Sequence, residues 1–98
     1  MMKYTVRSKV WKYPGMAAWY FVNVDKKQSA EIKEKFGTAR RGFGSVRVEV
    51  KLGKTKWKTS IFPDKQSGMY LLPVKAAVRH AEALDEGDGV TFTITPAI

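Results

Sequence analysis

The stretch that decides the fold runs Val46-Arg-Val-Glu-Val-Lys-Leu-Gly-Lys-Thr-Lys-Trp-Lys-Thr-Ser-Ile61. Apolar and charged side chains alternate in its first half, and the alternation resumes after Gly53-Lys54, as in two strands that each bury one face. A two-residue loop with glycine in first place is the signature of a type II′ hairpin turn. On the buried side, the resulting register pairs Leu52 with Thr55, Val50 with Trp57, Val48 with Thr59 and Val46 with Ile61.

A tryptophan is among the residues predicted to face inward in this hairpin. We expect Trp57→Ala to lower the free energy of unfolding by roughly 3–5 kcal/mol, as for a buried large aromatic side chain. The residues predicted to share the buried face are Val46, Val48, Val50, Trp57 and Ile61.

The N-terminal third of the chain predicts two strands and a helix. Side chains alternate between bulky and charged over residues 3–12, Pro14-Gly15 signals a turn, and residues 17–24 are apolar, so an antiparallel hairpin is expected. Asp25 and Gln28 have the spacing of a capping box at a helix start. The predicted apolar stripe of this helix contains Ala30, either Ile32 or the stem of Lys33, and Phe36, and Gly37 is placed to end it.

The C-terminal part predicts a loop over residues 62–68 and a short strand over 69–72. Pro73 suits the first turn of a second helix, since its missing N–H has no intrahelical partner there. An acidic turn over residues 85–89 then leads to a closing strand over 90–95. The predicted apolar face of the second helix consists of Ala77, Val78, Ala81 and Leu84.

About six strands and two short helices predict a mainly β domain, a small closed or partly open barrel. Closure removes the exposed strand edges that an open sheet would present. An open sheet with both helices on one face is the competing topology.

Several segments resemble one known family over nearly the whole chain. The segments are residues 43–60, Phe62-Pro-Asp-Lys65, Tyr70-Leu-Leu-Pro-Val-Lys-Ala-Ala-Val-Arg79, Glu86-Gly-Asp88 and Val90-Thr-Phe-Thr-Ile94. In order and content they resemble the domain of unknown function 1905 family, and Trp19-Tyr-Phe-Val22 before a short helix fits it too. The resemblance implies a double-split barrel, similar in architecture to the swapped-hairpin barrels of bacterial transition-state regulators and antitoxins. It implies no catalytic or binding residues.

Length, cysteine content and apolar runs limit the number of domains, the possible reactive groups and the expected location of the protein. The 98 residues are expected to form a single domain, 1–98, and the absence of cysteine excludes disulfides, thiol nucleophiles and Cys-ligated zinc. The longest apolar run, residues 16–22, is too short to span a membrane, and no signal-peptide pattern follows the N-terminus, so we expect a cytoplasmic location.

Of the residue types that enzymes use as nucleophiles and bases, cysteine is absent and histidine occurs once. His80 is the only histidine, and the predicted second helix places it at the edge of the apolar stripe, where a boundary residue explains it better than a general base. Asp85, Glu86 and Asp88 lack the pattern of a calcium loop, and an acidic turn accounts for them. We therefore expect a protein that is not an enzyme, with no metal and no cofactor.

The basic charge is concentrated in one part of the chain. Residues 1–62 hold 15 bases and 4 acids, a net charge of +11, whereas residues 63–98 hold 3 bases and 5 acids, a net charge of −2. A basic side attracts nucleic acid, although a solvated surface or a mobile connector explains the same charges. The candidate nucleic-acid-binding residues are Arg40, Arg41, Arg47, Lys51, Lys54, Lys56 and Lys58.

Three functional hypotheses follow. The first is a binding module for a protein or other macromolecule, and the second is weak, sequence-tolerant binding of nucleic acid through the basic hairpin and loop. The third is a small-ligand or enzymatic pocket near His80. The aromatic residues bear on the second hypothesis, because they either stack bases or fill the core. The residues in question are Tyr4, Trp11, Tyr13, Trp19, Tyr20, Phe21 and Trp57.

Overall fold

The computed structural model describes residues 3–15, 19–36 and 44–97. Most of these residues lie in strands, and both helices are short. The elements are β1 (Tyr4–Lys9), β2 (Trp11–Lys12), β3 (Tyr20–Val24), α1 (Lys26–Phe36), β4 (Val46–Leu52), β5 (Thr55–Asp64), β6 (Met69–Pro73), α2 (Ala76–Ala81) and β7 (Gly89–Pro96).

The strands form a nearly closed antiparallel barrel in the order β1-β7-β4-β5-β6-β3-β2. The first and last members of this order, β1 and β2, are consecutive in the chain and are separated by Val10 alone. One continuous stretch therefore pairs with β7 through its first half and with β3 through its second half. This confirms the mainly β barrel with two short helices and excludes the open sheet. The seventh strand arises because the strand expected over residues 3–12 divides at Val10.

Backbone hydrogen bonds hold the chain at Val10. Its N–H donates to the carbonyl of Asp88 at 2.9 Å, and its own carbonyl accepts from the N–H of Gly87 at 2.7 Å. The side chain of Val10 is buried in the core. The acidic turn before β7 therefore supplies the hydrogen-bond partners that Val10 cannot find in either neighbouring strand.

The predicted hairpin between the first two strands forms only at its end. Lys12 pairs with Tyr20 and Trp11 with Phe21, whereas all of β1 pairs with β7, about eighty to ninety residues later. The expectation of a full hairpin was wrong because β1 buries Tyr4 and Val6 against the closing strand. Such a pairing cannot be recognised from the turn signal between adjacent strands.

The central hairpin confirms the predicted register at every position from Val46↔Ile61 to Leu52↔Thr55. Gly53 has a φ of +61°, and among the described residues Ala83 is the one non-glycine with positive φ, which fits a type II′ turn over Gly53-Lys54. The Glu82 carboxylate at the end of α2 accepts a hydrogen bond from the Lys54 N–H at 3.2 Å and another from the Thr55 hydroxyl at 2.6 Å.

The segment after this hairpin continues as a strand. β5 extends to Asp64 and pairs with β6, with Phe62 opposite Leu71, so the loop predicted over residues 62–68 was wrong for its first half. β5 thus joins a first sheet (β1-β7-β4-β5) to a second sheet (β5-β6-β3-β2). Pro73 ends β6 opposite Phe21 and does not open a helix, since α2 begins at Ala76.

Helix α1 begins as predicted but buries a different face. The Asp25 carboxylate accepts from the Gln28 N–H at 2.7 Å, while the Gln28 amide donates to that carboxylate and to the carbonyl of Thr5. Ala30 is exposed, contrary to prediction, and Ser29 is buried with Ile32. The Ser29 hydroxyl donates to the Val24 carbonyl at 2.8 Å and accepts from the Tyr70 N–H at 2.9 Å, which satisfies its polarity inside the core.

The core is built mainly from valine and other β-branched residues that point inward from both sheets. Within α2, Val78 is buried as predicted, whereas Ala77 and Ala81 are exposed because the helix has only six residues and presents one narrow face. The fully buried residues include Val6, Val10, Val22, Val24, Ile32, Val48, Val50, Ile61, Leu72, Val74, Phe92 and Ile94.

Trp57 points inward but is only partly buried, packing against the edge of the core. The loss expected from the sequence was based on complete burial, so a smaller value now follows. We expect Trp57→Ala to lower the free energy of unfolding by about 1–3 kcal/mol, and Ile61→Ala, at a fully buried position, by about 2–5 kcal/mol. Urea unfolding of both variants measures this, and a larger loss for Trp57→Ala than for Ile61→Ala would contradict the placement.

The turn of the central hairpin is sensitive to a methyl group. A Cβ on Gly53 would overlap the Glu82 carboxylate, whereas a Cβ on Gly68, with a similar φ of +74°, would meet no atom within 4 Å. We expect Gly68→Ala to lower the free energy of unfolding by about 1–2 kcal/mol through backbone strain. Gly53→Ala should lower it by about 0.5–1.5 kcal/mol more, because the flexible Glu82 side chain must move aside and lose its partly exposed hydrogen bonds.

The measurement is denaturant unfolding of both glycine variants, in the wild type and in a Glu82→Ala background. Without the Glu82 carboxylate, Gly53→Ala and Gly68→Ala should lower the free energy of unfolding by similar amounts. A difference that persists without Glu82 would show that the turn itself, and not its contact with α2, opposes the methyl group.

Candidate binding surface

The central hairpin gathers four of the predicted basic residues on its outer side. Arg47, Lys51, Lys56 and Lys58 are all exposed, and the register sets Lys51 directly opposite Lys56. Like charges in directly opposed positions destabilise a sheet, so the hairpin gains no stability from this pair. The exposed Lys54 lies in the turn. Arg40 and Arg41 lie outside the described residues.

The barrel topology brings further cations to the same surface. β7 lies beside β4, and β1 lies beyond β7, so Arg7 stands opposite Thr91 and Thr5 opposite Thr93 on the outward side. Arg7 and Lys9 are exposed. Sequence reasoning recognised the outward position of these two cations but missed that they share a sheet with the hairpin, since that requires the β1–β7 and β7–β4 pairings.

We define the cationic face as the outward-facing bases of the first sheet. Glu49, opposite Lys58, is an acidic residue among them, and β7 contributes a row of threonines between the two groups of cations. Outward side chains along one strand are about 6.6–6.8 Å apart, near the spacing of successive phosphates along an extended nucleic acid. The members of the cationic face are Arg7, Lys9, Arg47, Lys51, Lys56 and Lys58.

The second sheet has an aromatic outer side. Four rings from β2, β3 and the segments beside them contact one another, and Phe21 is at their centre, with ring centroids 5.2 Å from Trp11, 6.1 Å from Tyr13 and 5.9 Å from Trp19. Tyr13 is 45% exposed and Trp19 is 49% exposed. We define the aromatic patch as Trp11, Tyr13, Trp19 and Phe21.

The aromatic residues considered for base stacking are therefore divided between the two sides of the barrel wall. Tyr4 belongs to the core, and Trp57 packs against it. Tyr20 also packs against the core, and its ring is covered by the Arg79 guanidinium, whose Cζ lies 3.8 Å from the ring centroid. The aromatic patch comprises the rings of this set that remain on the outside.

Comparison with protein families identifies the chain. The model of the family described as a domain of unknown function, DUF1905, matches residues 7–94. The chain belongs to this family. No curated protein matches it. The resemblance seen in the sequence is thereby confirmed, and the description of the DUF1905 family assigns no activity.

Neither helix described for this DUF1905 domain is long and apolar enough to cross a membrane. His80 is exposed on α2. In residues 3–15, 19–36 and 44–97, no three His, Asp or Glu side chains are grouped to hold a metal ion. Burial raises the pKa of the Tyr70 hydroxyl, and burial together with Glu31 raises that of Tyr4, so both hydroxyls remain protonated at neutral pH.

A shallow cleft of about 360 Å³ lies between α1 and the β5–β6 turn of the DUF1905 domain. Lys33, Asp64 and Lys65 contribute its charged groups, and Pro63 and Met69 contribute apolar surface. His80 is not among the lining residues. The hypothesis of a ligand or enzymatic pocket near His80 gains no support from this cleft.

Proposed function

We propose that this domain is a non-catalytic, cytoplasmic binding module whose partner is nucleic acid, bound through the cationic face. The observation that carries the proposal is that exposed cations of β1, β4 and β5 share the outer side of one sheet, with only the threonine row of β7 between the two groups. The sequence favoured a protein or other macromolecular partner and placed nucleic acid, bound through the basic hairpin and loop, second. The addition of Arg7 and Lys9 to the same sheet favours a polyanion.

Binding through such a surface is electrostatic. Each phosphate that a lysine or arginine neutralises releases condensed counterions, which makes the affinity fall as salt rises. The threonine hydroxyls of β7 lie between the cations and can donate hydrogen bonds to phosphate oxygens, as hydroxyl side chains do in protein–DNA complexes. None of these contacts reads a base edge, so the binding is weak and tolerant of sequence.

A protein partner is the second candidate function, and the aromatic patch is the observation that favours it. Exposed tryptophan and tyrosine side chains are enriched in protein interfaces, and Trp19 and Tyr13 are about half exposed. Association through this patch would depend on buried apolar area and would respond weakly to salt. The response to salt therefore separates the two candidates.

Charge reversal on the hairpin tests the cationic face. We expect the wild type to bind short duplex and single-stranded oligonucleotides at low salt, with an affinity for duplex that falls by a log–log slope of about −0.9 per phosphate contact. The triple variant Lys51→Glu, Lys56→Glu, Lys58→Glu should lose this binding and keep its fold, because all three side chains are exposed. Fluorescence-anisotropy titrations at two salt concentrations measure both effects.

The matched control reverses the same number of charges elsewhere. Lys26→Glu, Lys27→Glu and Lys33→Glu alter exposed positions of α1 and give the same net charge as the hairpin variant. The control should retain most of the affinity. Equal losses in both variants would mean that net charge alone governs binding, and a wild type that binds neither oligonucleotide at low salt would refute the proposed function.

The role of His80 is tested separately. Because His80 is exposed and lies outside the cationic face, His80→Ala should leave the affinity for both oligonucleotides unchanged. Its free energy of unfolding should change by no more than about 0.5 kcal/mol, as at ordinary surface positions. A loss of binding with preserved folding would reopen the hypothesis of a site around this histidine.

A further inference from the structure

The aromatic patch lies on the outer side of the barrel and is separate from the core cluster. Val22 and Val24 of β3 point into the core. Because successive side chains of a strand point to opposite faces, Phe21, which precedes Val22, points to the outer side of the second sheet. Phe21 is only 9% exposed because the other three rings cover it. The outermost rings, those of Tyr13 and Trp19, keep about half of their surface in water.

The patch is held in place before any partner arrives. The Trp11 indole N–H donates to the Asn23 side-chain oxygen at 2.7 Å, and the Asn23 amide contacts the Met69 sulfur at 3.8 Å. The N–H of Tyr13 donates to the carbonyl of Trp19 at 2.8 Å, which ties the strands beneath the two exposed rings. The hydrogen bond orients the Trp11 ring, and contact with Phe21 orients the Tyr13 and Trp19 rings, so these rings lose less conformational entropy on binding than free side chains would.

The patch is continuous with the cationic face along one strand. Arg7 and Lys9 point outward from β1, and after the partner exchange at Val10, Trp11 and Tyr13 follow on the outward side. Cations and rings thus succeed one another at every second residue, about 6.6–6.8 Å apart. A groove that binds single-stranded nucleic acid combines these two elements, cations for the backbone and rings for the bases.

We infer that the aromatic patch stacks the bases of a single-stranded nucleic acid whose phosphates lie along Arg7 and Lys9. This inference rests on the proposed function and specifies its substrate as single-stranded. The bases of a duplex are already stacked on one another, so their faces are not available to Trp19 and Tyr13. The charge of the neighbouring strand favours this occupant over a second copy of the chain, which would bring the same positive charge against it.

The test compares three probes with the same number of phosphates at low salt. They are an oligothymidine, an abasic oligomer of equal length, which keeps the sugar-phosphate backbone without bases, and a duplex. Stacking of one base on an aromatic ring is worth about fivefold to 150-fold in affinity. We expect the wild type to bind oligothymidine at least about fivefold more tightly than the abasic oligomer.

The double variant Tyr13→Ala, Trp19→Ala should lose this preference and keep its affinity for the abasic oligomer. Tyr13→Phe with Trp19→Phe keeps both rings and should restore the preference. Phe62→Ala is the matched control, because it removes a ring that is 43% exposed on the same sheet but outside the patch, and it should leave the preference unchanged.

The outcomes separate the inference from the proposed function. Equal affinity of the wild type for oligothymidine and the abasic oligomer, with both bound, would overturn the inference and leave the cationic face as the site. Absence of binding to all three probes would overturn both. A concentration-dependent wild-type dimer that the double variant abolishes, with an unchanged preference for oligothymidine, would assign the patch to self-association and overturn the inference.

Discussion

The exchange of strand partners at Val10 is the constraint on which the rest of this structure depends. A strand that pairs with β7 before Val10 and with β3 after it belongs to both sheets, and it therefore closes the barrel. At the exchange, the backbone groups of Val10 find no partner in either strand. Its N–H donates to the Asp88 carbonyl instead, and its carbonyl accepts from the Gly87 N–H. The acidic turn that looked like a simple connection is thus part of the closure.

The strands shared by the two sheets also determine which side chains lie on the outer side of the barrel. β5 is the second strand shared by the two sheets, and on its outward side Lys56 and Lys58 precede Phe62. The shared stretch β1–β2 shows the same change from cations to aromatic rings. Both shared strands therefore place charge on the first sheet and exposed rings on the second, which gives the barrel two outer surfaces of different chemistry that meet along these strands.

The parts of the fold that could be predicted are those with local causes. The register of the central hairpin follows from strict alternation on both sides of Gly53-Lys54, because a shift of one residue would turn every valine to solvent. The start of α1 follows from Asp25, whose carboxylate reaches an amide three residues away. The buried Ser29 could not be predicted, because its two partners, Val24 and Tyr70, meet only after β3 and β6 have paired.

The candidate binding surfaces, like the fold, were predictable from the sequence only where their causes are local. The sequence by itself determined the mainly β class, the central hairpin, its outward lysines and the family, since alternation, turn chemistry and an ordered set of motifs are local properties of the chain. Only the tertiary structure decided that Arg7 and Lys9 share a sheet with those lysines and that Trp11, Tyr13, Trp19 and Phe21 gather on the outside. The physical reason is that strand pairing between β1 and β7, or between β3 and β6, joins residues far apart in sequence, and no local periodicity specifies which strands become neighbours.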